Sequence, residues 1–242
     1  MEYYGPAIEL SFENQSAIIG IPDTVKRLGA SISGGLDSSL ALFYICTYIT
    51  QNNLENKIII YPMTGVDKRR PTNKFDVVDI VNLMRDKFPT IKWYDHTMWD
   101  NTREWIDGTL WTKVDKDRVK LKEFALEYDL HMYVNGRTSN PPQDVLESFG
   151  TEFEEDRCHD RNRDTLYNPQ DPMYDYFYWN RPWENCDKKF IAHFYKENNL
   201  MEDLYPLTWS CVEYALKTKW FTEPCGECFW CKEKEWGFGT YR

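Results

Sequence analysis

The chain has 242 residues, 16% of them aromatic, and a formal net charge of -10. That length can bury one full core with room for an appended lobe. The acidity gives no electrostatic footprint for nucleic acid, so nucleic acid is not expected as a direct substrate.

No stretch approaches the roughly 18 consecutive apolar residues of a membrane span, so no membrane partner is expected. Met1 to Glu13 lacks a basic region followed by an apolar run and does not read as a signal peptide. Seven cysteines, an odd number in a chain of this size, point to metal binding and a reducing, cytoplasmic compartment rather than to disulfides.

In chain order, Leu28 to Ser33 is a short apolar run that enters a glycine pair. Asp37 to Thr50 carries Leu40, Leu42, Phe43, Ile45, Cys46 and Ile49, apolar almost all round, and is predicted to be a buried helix. Lys57 to Tyr61 reads as a buried strand that Pro62 ends. Phe75, Val78, Leu83 and Met84 give helical spacing up to Phe88, with Pro89 as the stop. Ile91 to Tyr94 is a third strand, Val119 to Tyr128 a helix and His131 to Val134 a fourth strand. This rhythm predicts an α/β fold, a parallel sheet flanked by helices.

From Thr151 to Asp187 the rhythm breaks into an acidic, aromatic excursion punctuated by Asn168-Pro169, Asp171-Pro172 and Arg181-Pro182. It reads either as a solvated loop with its own aromatic cluster (Tyr174, Tyr176, Tyr178, Trp179, Trp183) or as a substrate loop. Lys188 to Asn198 resumes as a helix. The expected organisation is therefore a core over 1–150, the excursion over 151–187 and a helical, cysteine-rich region over 188–242.

Ser33-Gly34-Gly35-Leu36-Asp37-Ser38-Ser39 lies where a strand runs into a helix. Glycines allow tight turning and close backbone approach. The first N–H groups of a helix and its dipole attract an anion, and serine hydroxyls add donors. A carboxylate among such groups is explained if Asp37 helps hold Mg²⁺ on phosphates. Neither a Gly-Lys-Ser/Thr sequence nor G-x-G-x-x-G is present here. The bland alternative is a capped helix after a glycine turn.

Cys211 and then Cys225-Gly226-Glu227-Cys228-Phe229-Trp230-Cys231 form the second motif. C-x₂-C turns aim two thiolates at one ion, Gly226 eases the turn, and four cysteines close a tetrahedral sphere, as in structural Zn²⁺ sites. An iron–sulfur cluster would use the same thiolates. Cys46 reads as a core residue. Cys158-His159 is too sparse for a site, Cys186 is undecided, and His96, His131 and His193 show no tie to a partner.

The glycine segment resembles the Ser-Gly-Gly-x-Asp-Ser loop of the PP-loop ATP pyrophosphatases, whose fold is adenine nucleotide alpha hydrolase-like. Leu207-Thr208-Trp209-Ser210-Cys211 with Cys225-Gly226-x-Cys228-x-x-Cys231, Lys232 and Phe238 is similar to the C-terminus of the 7-cyano-7-deazaguanine (preQ0) synthase family. Asn135-Gly136-Arg137 stands where that family has Gly-Arg-Asn, with Thr138 in place of the asparagine. Tyr61-Pro62-Met63-Thr64-Gly65 replaces its Tyr-Gly-Gln tract.

The resemblance implies ATP, Mg²⁺ and Zn²⁺ as cofactors. It also implies ATP-dependent conversion of a purine-like acid, 7-carboxy-7-deazaguanine, and ammonia to the nitrile, with release of AMP and pyrophosphate. Ser33, Gly34, Gly35, Leu36, Asp37, Ser38 and Ser39 would bind ATP, with Asp37, Ser38 and Arg137 catalytic. Cys211, Cys225, Cys228 and Cys231 would bind zinc. A homodimer is admissible, and no glutaminase segment accompanies the motifs. The alternatives are another PP-loop activity (tRNA modification, sulfur transfer, an amide ligase) and a non-catalytic, zinc-stabilised nucleotide-binding module.

Overall fold

The computed structural model describes residues 2–67, 73–102, 104–106, 109–111, 113–150, 163–167, 178–213 and 215–241. Its centre is a mostly parallel sheet. β3 (Arg27–Ser31) pairs in parallel with β4 (Ile59–Val66) on one side and with β9 (Met132–Val134) on the other. β5 (Lys92–Trp93) and β6 (Thr97–Asp100) run one after the other along the far edge of β4. β11 (Tyr178–Asn180) adds in parallel to β9, and β10 (Leu166–Tyr167) closes that edge antiparallel. The order across the sheet is β10-β11-β9-β3-β4-β5, with β6 also on β4.

Side-chain alternation explains why helices cover both faces. Leu28, Ala30, Ile58, Ile60, Met132 and Val134 join one core with α1 (Leu36–Gln51), α2 (Asn73–Lys87) and α5 (Lys188–Glu197). Tyr61, Met63 and Tyr133 point the other way, into a second core with Leu121 and Ala125 of α3 (Lys113–Glu127). A strand's period of two sends neighbouring residues to opposite faces, and a strand buried on both reads as a continuous apolar run. Leu40, Leu42, Ile45, Cys46 and Ile49 of α1 are all buried, as their all-round apolar pattern predicts.

Pro62 does not end its strand. β4 continues through it to Val66, with Pro62 opposite Ala30. Proline cannot donate to a ladder. Here β5 ends opposite Ile60 and β6 begins opposite Met63, so the missing N–H falls in the gap between them. The third strand is likewise two short pieces rather than Ile91 to Tyr94.

Two hairpins carry no helix-alternating signal: β1 (Ile8–Phe12) with β2 (Gln15–Ile19), and β7 (Glu104–Ile106) with β8 (Thr109–Trp111). The short α4 (Gln143–Phe149) follows β9, and α6 (Phe229–Phe238) ends the described fold. The described parts of the 151–187 excursion are structural: they supply β10 and β11, and Trp183 is fully buried in the main core. Tyr174 and Tyr176 lie outside the described residues. No helix among the described residues is long and apolar enough to cross a membrane.

Candidate functional site

The chain leaves β3 toward β4 on one side and later returns to β9 on the other. The crevice between the carboxyl ends of β3 and β9 is therefore the switch point where open α/β sheets bind ligands. Ser33 to Ser39 fills one lip of it. Gly34 has φ +80°, a turn a side chain would strain, and Gly35 caps α1. Ser38 Oγ accepts from the Ser33 amide at 3.1 Å and lies 3.0 Å from Ser33 Oγ. Ser39 is fully buried, and its hydroxyl donates to the Gly35 carbonyl at 2.8 Å, shaping the loop from beneath. Ser33 is exposed toward solvent. The first-turn amides of α1 have no carbonyl partner within the helix.

The opposite lip is Asn135-Gly136-Arg137. A Cβ on Gly136 would stand 2.3 Å from the Ser38 nitrogen, so only glycine lets the two segments meet. Thr138 is buried and its hydroxyl donates to Asp37 Oδ2 at 3.4 Å. Arg137 Nε lies 3.9 Å from Glu184 Oε1. Arg163 and Arg181 also reach this 3%-exposed carboxylate, at 3.3 and 3.7 Å. Among the described residues, three guanidiniums thus surround one buried acid in a chain that is acidic overall. Sequence reading singled out Arg137 alone, because the other two arginines lie within the irregular excursion.

Asp37 has a partner that spacing could not reveal. Lys188 Nζ, on α5, donates to both carboxylate oxygens at 2.6 and 2.7 Å. Trp183 Nε1 donates to the Asp37 carbonyl at 2.9 Å, and the Tyr195 hydroxyl donates to the Leu36 carbonyl at 3.0 Å. The first turn of α1 is thus held from three sides. The sequence placed Asp37 on Mg²⁺; in the fold its carboxylate is bonded by a lysine that is 4% exposed and also lies 3.5 Å from Glu233.

A second carboxylate borders the loop. A Cβ at Gly34 would lie 3.8 Å from Asp76 Cβ, in the first turn of α2. Asp76 Oδ2 is buried with no hydrogen-bond partner among the described residues, and burial, then Asp79, pushes its pKa up to about 6. His96 Nε2 is 2.9 Å from the Thr64 hydroxyl, and burial lowers its pKa to about 4, so the ring is neutral at pH 7.

On the far side of the loop, the Trp209 amide donates to the Gly34 carbonyl at 2.8 Å. A cavity of about 250 Å³ opens there, with Tyr205, Trp209, Thr222, Pro224, Lys234 and Tyr241 among its walls. Lys234 is 5% exposed, sits 4.2 Å from the Tyr205 ring centre, and is pushed down to about 8 by burial.

The sulfurs of Cys211, Cys225, Cys228 and Cys231 all lie within 4.8 Å of one another, Cys225 and Cys231 at 3.8 Å. Tetrahedral coordination with metal–sulfur bonds of about 2.3 Å sets sulfurs about 3.8 Å apart, so the four can hold a metal such as zinc. The amides of Glu227 and Cys228 donate to Cys225 Sγ at 3.4 and 3.3 Å, and that of Cys225 to Cys211 Sγ at 3.4 Å. Such bonds favour the thiolate. Cys46 and Cys186 are fully buried elsewhere, and Cys158-His159 lies outside the described residues. His131 and His193 serve packing: Lys26 N donates to His131 Nδ1, and His193 stacks on Phe12.

Neither a comparison with protein-family models nor one with curated proteins found a match to this chain.

Proposed function

We propose that the chain is a PP-loop enzyme that cleaves ATP between its α- and β-phosphates to activate a carboxylate. The observation that carries this reading is the Ser33–Ser39 loop at the β3/β9 switch point, pressed against Gly136, whose neighbour Arg137 meets Arg163 and Arg181 at Glu184. In the reaction the resemblance implies, a carboxylate oxygen of 7-carboxy-7-deazaguanine attacks the α-phosphorus and pyrophosphate leaves. Ammonia attacks the acyl carbon, AMP leaves, and a proton is lost to give the amide. A second ATP activates the amide oxygen in the same way, with pyrophosphate leaving, and loss of AMP and both N–H protons leaves the nitrile.

The chain's own residues need only bind, orient and exclude water. The loop amides and Ser33 cradle phosphate oxygens. Arg137, with Arg163 and Arg181 beside it, offers a planar cation for an α-phosphate or a carboxylate. Mg²⁺ would neutralise charge on the phosphates. Asp76, whose Cβ borders Gly34 and whose Oδ2 has no partner among the described residues, suits it better than Asp37, and one carboxylate plus phosphates is usual for this ion. The cavity beside Trp209 has aromatic walls and a buried lysine, which suit a flat, anionic acceptor. Sulfur transfer needs a reactive thiol; among the described residues outside the four-cysteine set, Cys46 and Cys186 are both fully buried, and Cys158 lies outside the described residues. Zinc in the four-cysteine site would be structural, with no position left for water.

The test is turnover with ATP, ammonia and 7-carboxy-7-deazaguanine, read by mass spectrometry for the nitrile and by phosphorus NMR for AMP and pyrophosphate. Cleavage to AMP and pyrophosphate with some other acid would keep the chemistry and change the acceptor.

A further inference from the structure

The four-cysteine centre and the glycine loop are joined by a buried chain of charges. α6 has Cys228 as its N-cap and Cys231 in its first turn. Glu233, two residues on, is 0% exposed, and its Oε2 lies 3.5 Å from Lys188 Nζ. The same ammonium donates to both oxygens of Asp37, inside the loop. Little slack remains between the two helices: a Cβ on Gly237 would stand 2.8 Å from the Lys188 carbonyl oxygen and 2.7 Å from its Cγ. α6 therefore lies directly on the first turn of α5. Lys234, also on α6, is buried near enough to Lys188 for their charges to interact.

We infer that metal held by the four cysteines sets the conformation of the glycine loop through Glu233, Lys188 and Asp37. A metal bonded to Cys228 and Cys231 fixes the start of α6, and with it the position of Glu233. Glu233 and Asp37 share one ammonium, and Glu233, 0% exposed, cannot exchange it for water without a large desolvation imbalance, whereas Asp37, 19% exposed, can do so in part. A shift of Glu233 redistributes Lys188 between the two carboxylates. Asp37 is the loop residue through which Thr138, Trp183 and Lys188 hold the first turn of α1. Glu233 and Lys188 are thus positioning residues: they act on a ligand only through the loop. The consequence for nucleotide affinity rests on the ATP reading above; the coupling of metal to loop does not.

Hydrogen exchange by mass spectrometry on nucleotide-free protein tests the coupling. Metal-loaded wild type is compared with chelator-stripped wild type and with metal-loaded Glu233→Gln. Stripping should speed exchange across 33–39 by about tenfold, the size of a typical coupling between contacting residues. Glu233→Gln should show the same acceleration while keeping its metal and its helical circular dichroism. Stripping the variant should add little more. Loop exchange that stays unchanged in loaded Glu233→Gln overturns the inference, even if stripping wild type unfolds it outright. A second readout is the affinity for a non-hydrolysable ATP analogue, expected to weaken about tenfold in the variant. Wild type that binds no nucleotide sinks the ATP reading and leaves the exchange result to decide the coupling.

Discussion

Lys188→Met removes the one cation shared by Asp37 and Glu233 while keeping the length of the side chain. Glu233 is 0% exposed and Asp37 19%, so water can rescue the second only in part and the first hardly at all. Removing one partner from a buried ion pair typically costs about 3–5 kcal/mol. Asp37's partial access to water puts the expected loss at the lower end, about 3 kcal/mol. For a chain of this length each kcal/mol moves Tm by about 2–4 °C, so thermal unfolding should fall by about 6–12 °C. Circular dichroism melts measure it. Adding Glu233→Gln to Lys188→Met should recover at least about 1 kcal/mol, because the buried carboxylate that lost its lysine is then neutral. A single-variant loss under about 1 kcal/mol, the worth of an exposed pair, would refute the reasoning. So would a double variant no more stable than Lys188→Met.

Gly136→Ala places a methyl group 2.3 Å from the Ser38 nitrogen, and the two lips of the crevice must part. Overpacking of this kind costs about 1–3 kcal/mol, and binding of an ATP analogue, followed by calorimetry, should be lost; affinity equal to wild type would show that the contact is dispensable. Cys228→Ser should abolish metal retention measured by elemental analysis and lower Tm, since metal binding is coupled to folding; a variant with full metal content and unchanged Tm would contradict the four-sulfur site. His96 has an ordinary value of 6.5 and a folded value pushed down to about 4 by burial. Its contribution is therefore fully present above 6.5 and lost as pH falls toward 4. A wild-type Tm that falls over this window more steeply than that of His96→Gln is the expected result, and parallel curves would assign the acid loss to other groups.

How much of this was legible follows from how local each signal is. The strand–glycine–helix junction at Leu28 to Thr50 and the apolar strands at Ile58 and Met132 show themselves through periodicity within a few residues. The cysteines show themselves through ligand spacing, which is also local except for Cys211. Pro62 misled because a proline's effect on a strand depends on which neighbour its nitrogen faces, and the gap between β5 and β6 is a tertiary fact. β11 was hidden in the excursion because three residues are too few to show a period. Lys188 is 151 residues from Asp37, and Glu184 meets Arg137 only because β11 runs beside β9. Charge pairs at such separations leave no trace in spacing. The C-terminal stretch, read as a region apart, shares the main core through Phe238.

The most direct test of the proposed chemistry is the phosphorus balance of a single turnover experiment. Protein, ATP, Mg²⁺, ammonia and 7-carboxy-7-deazaguanine are mixed and the phosphorus species resolved by NMR. Cleavage between the α- and β-phosphates predicts AMP and pyrophosphate in equal amounts, suppressed in Gly136→Ala. ADP and orthophosphate as the products would contradict the account at its centre.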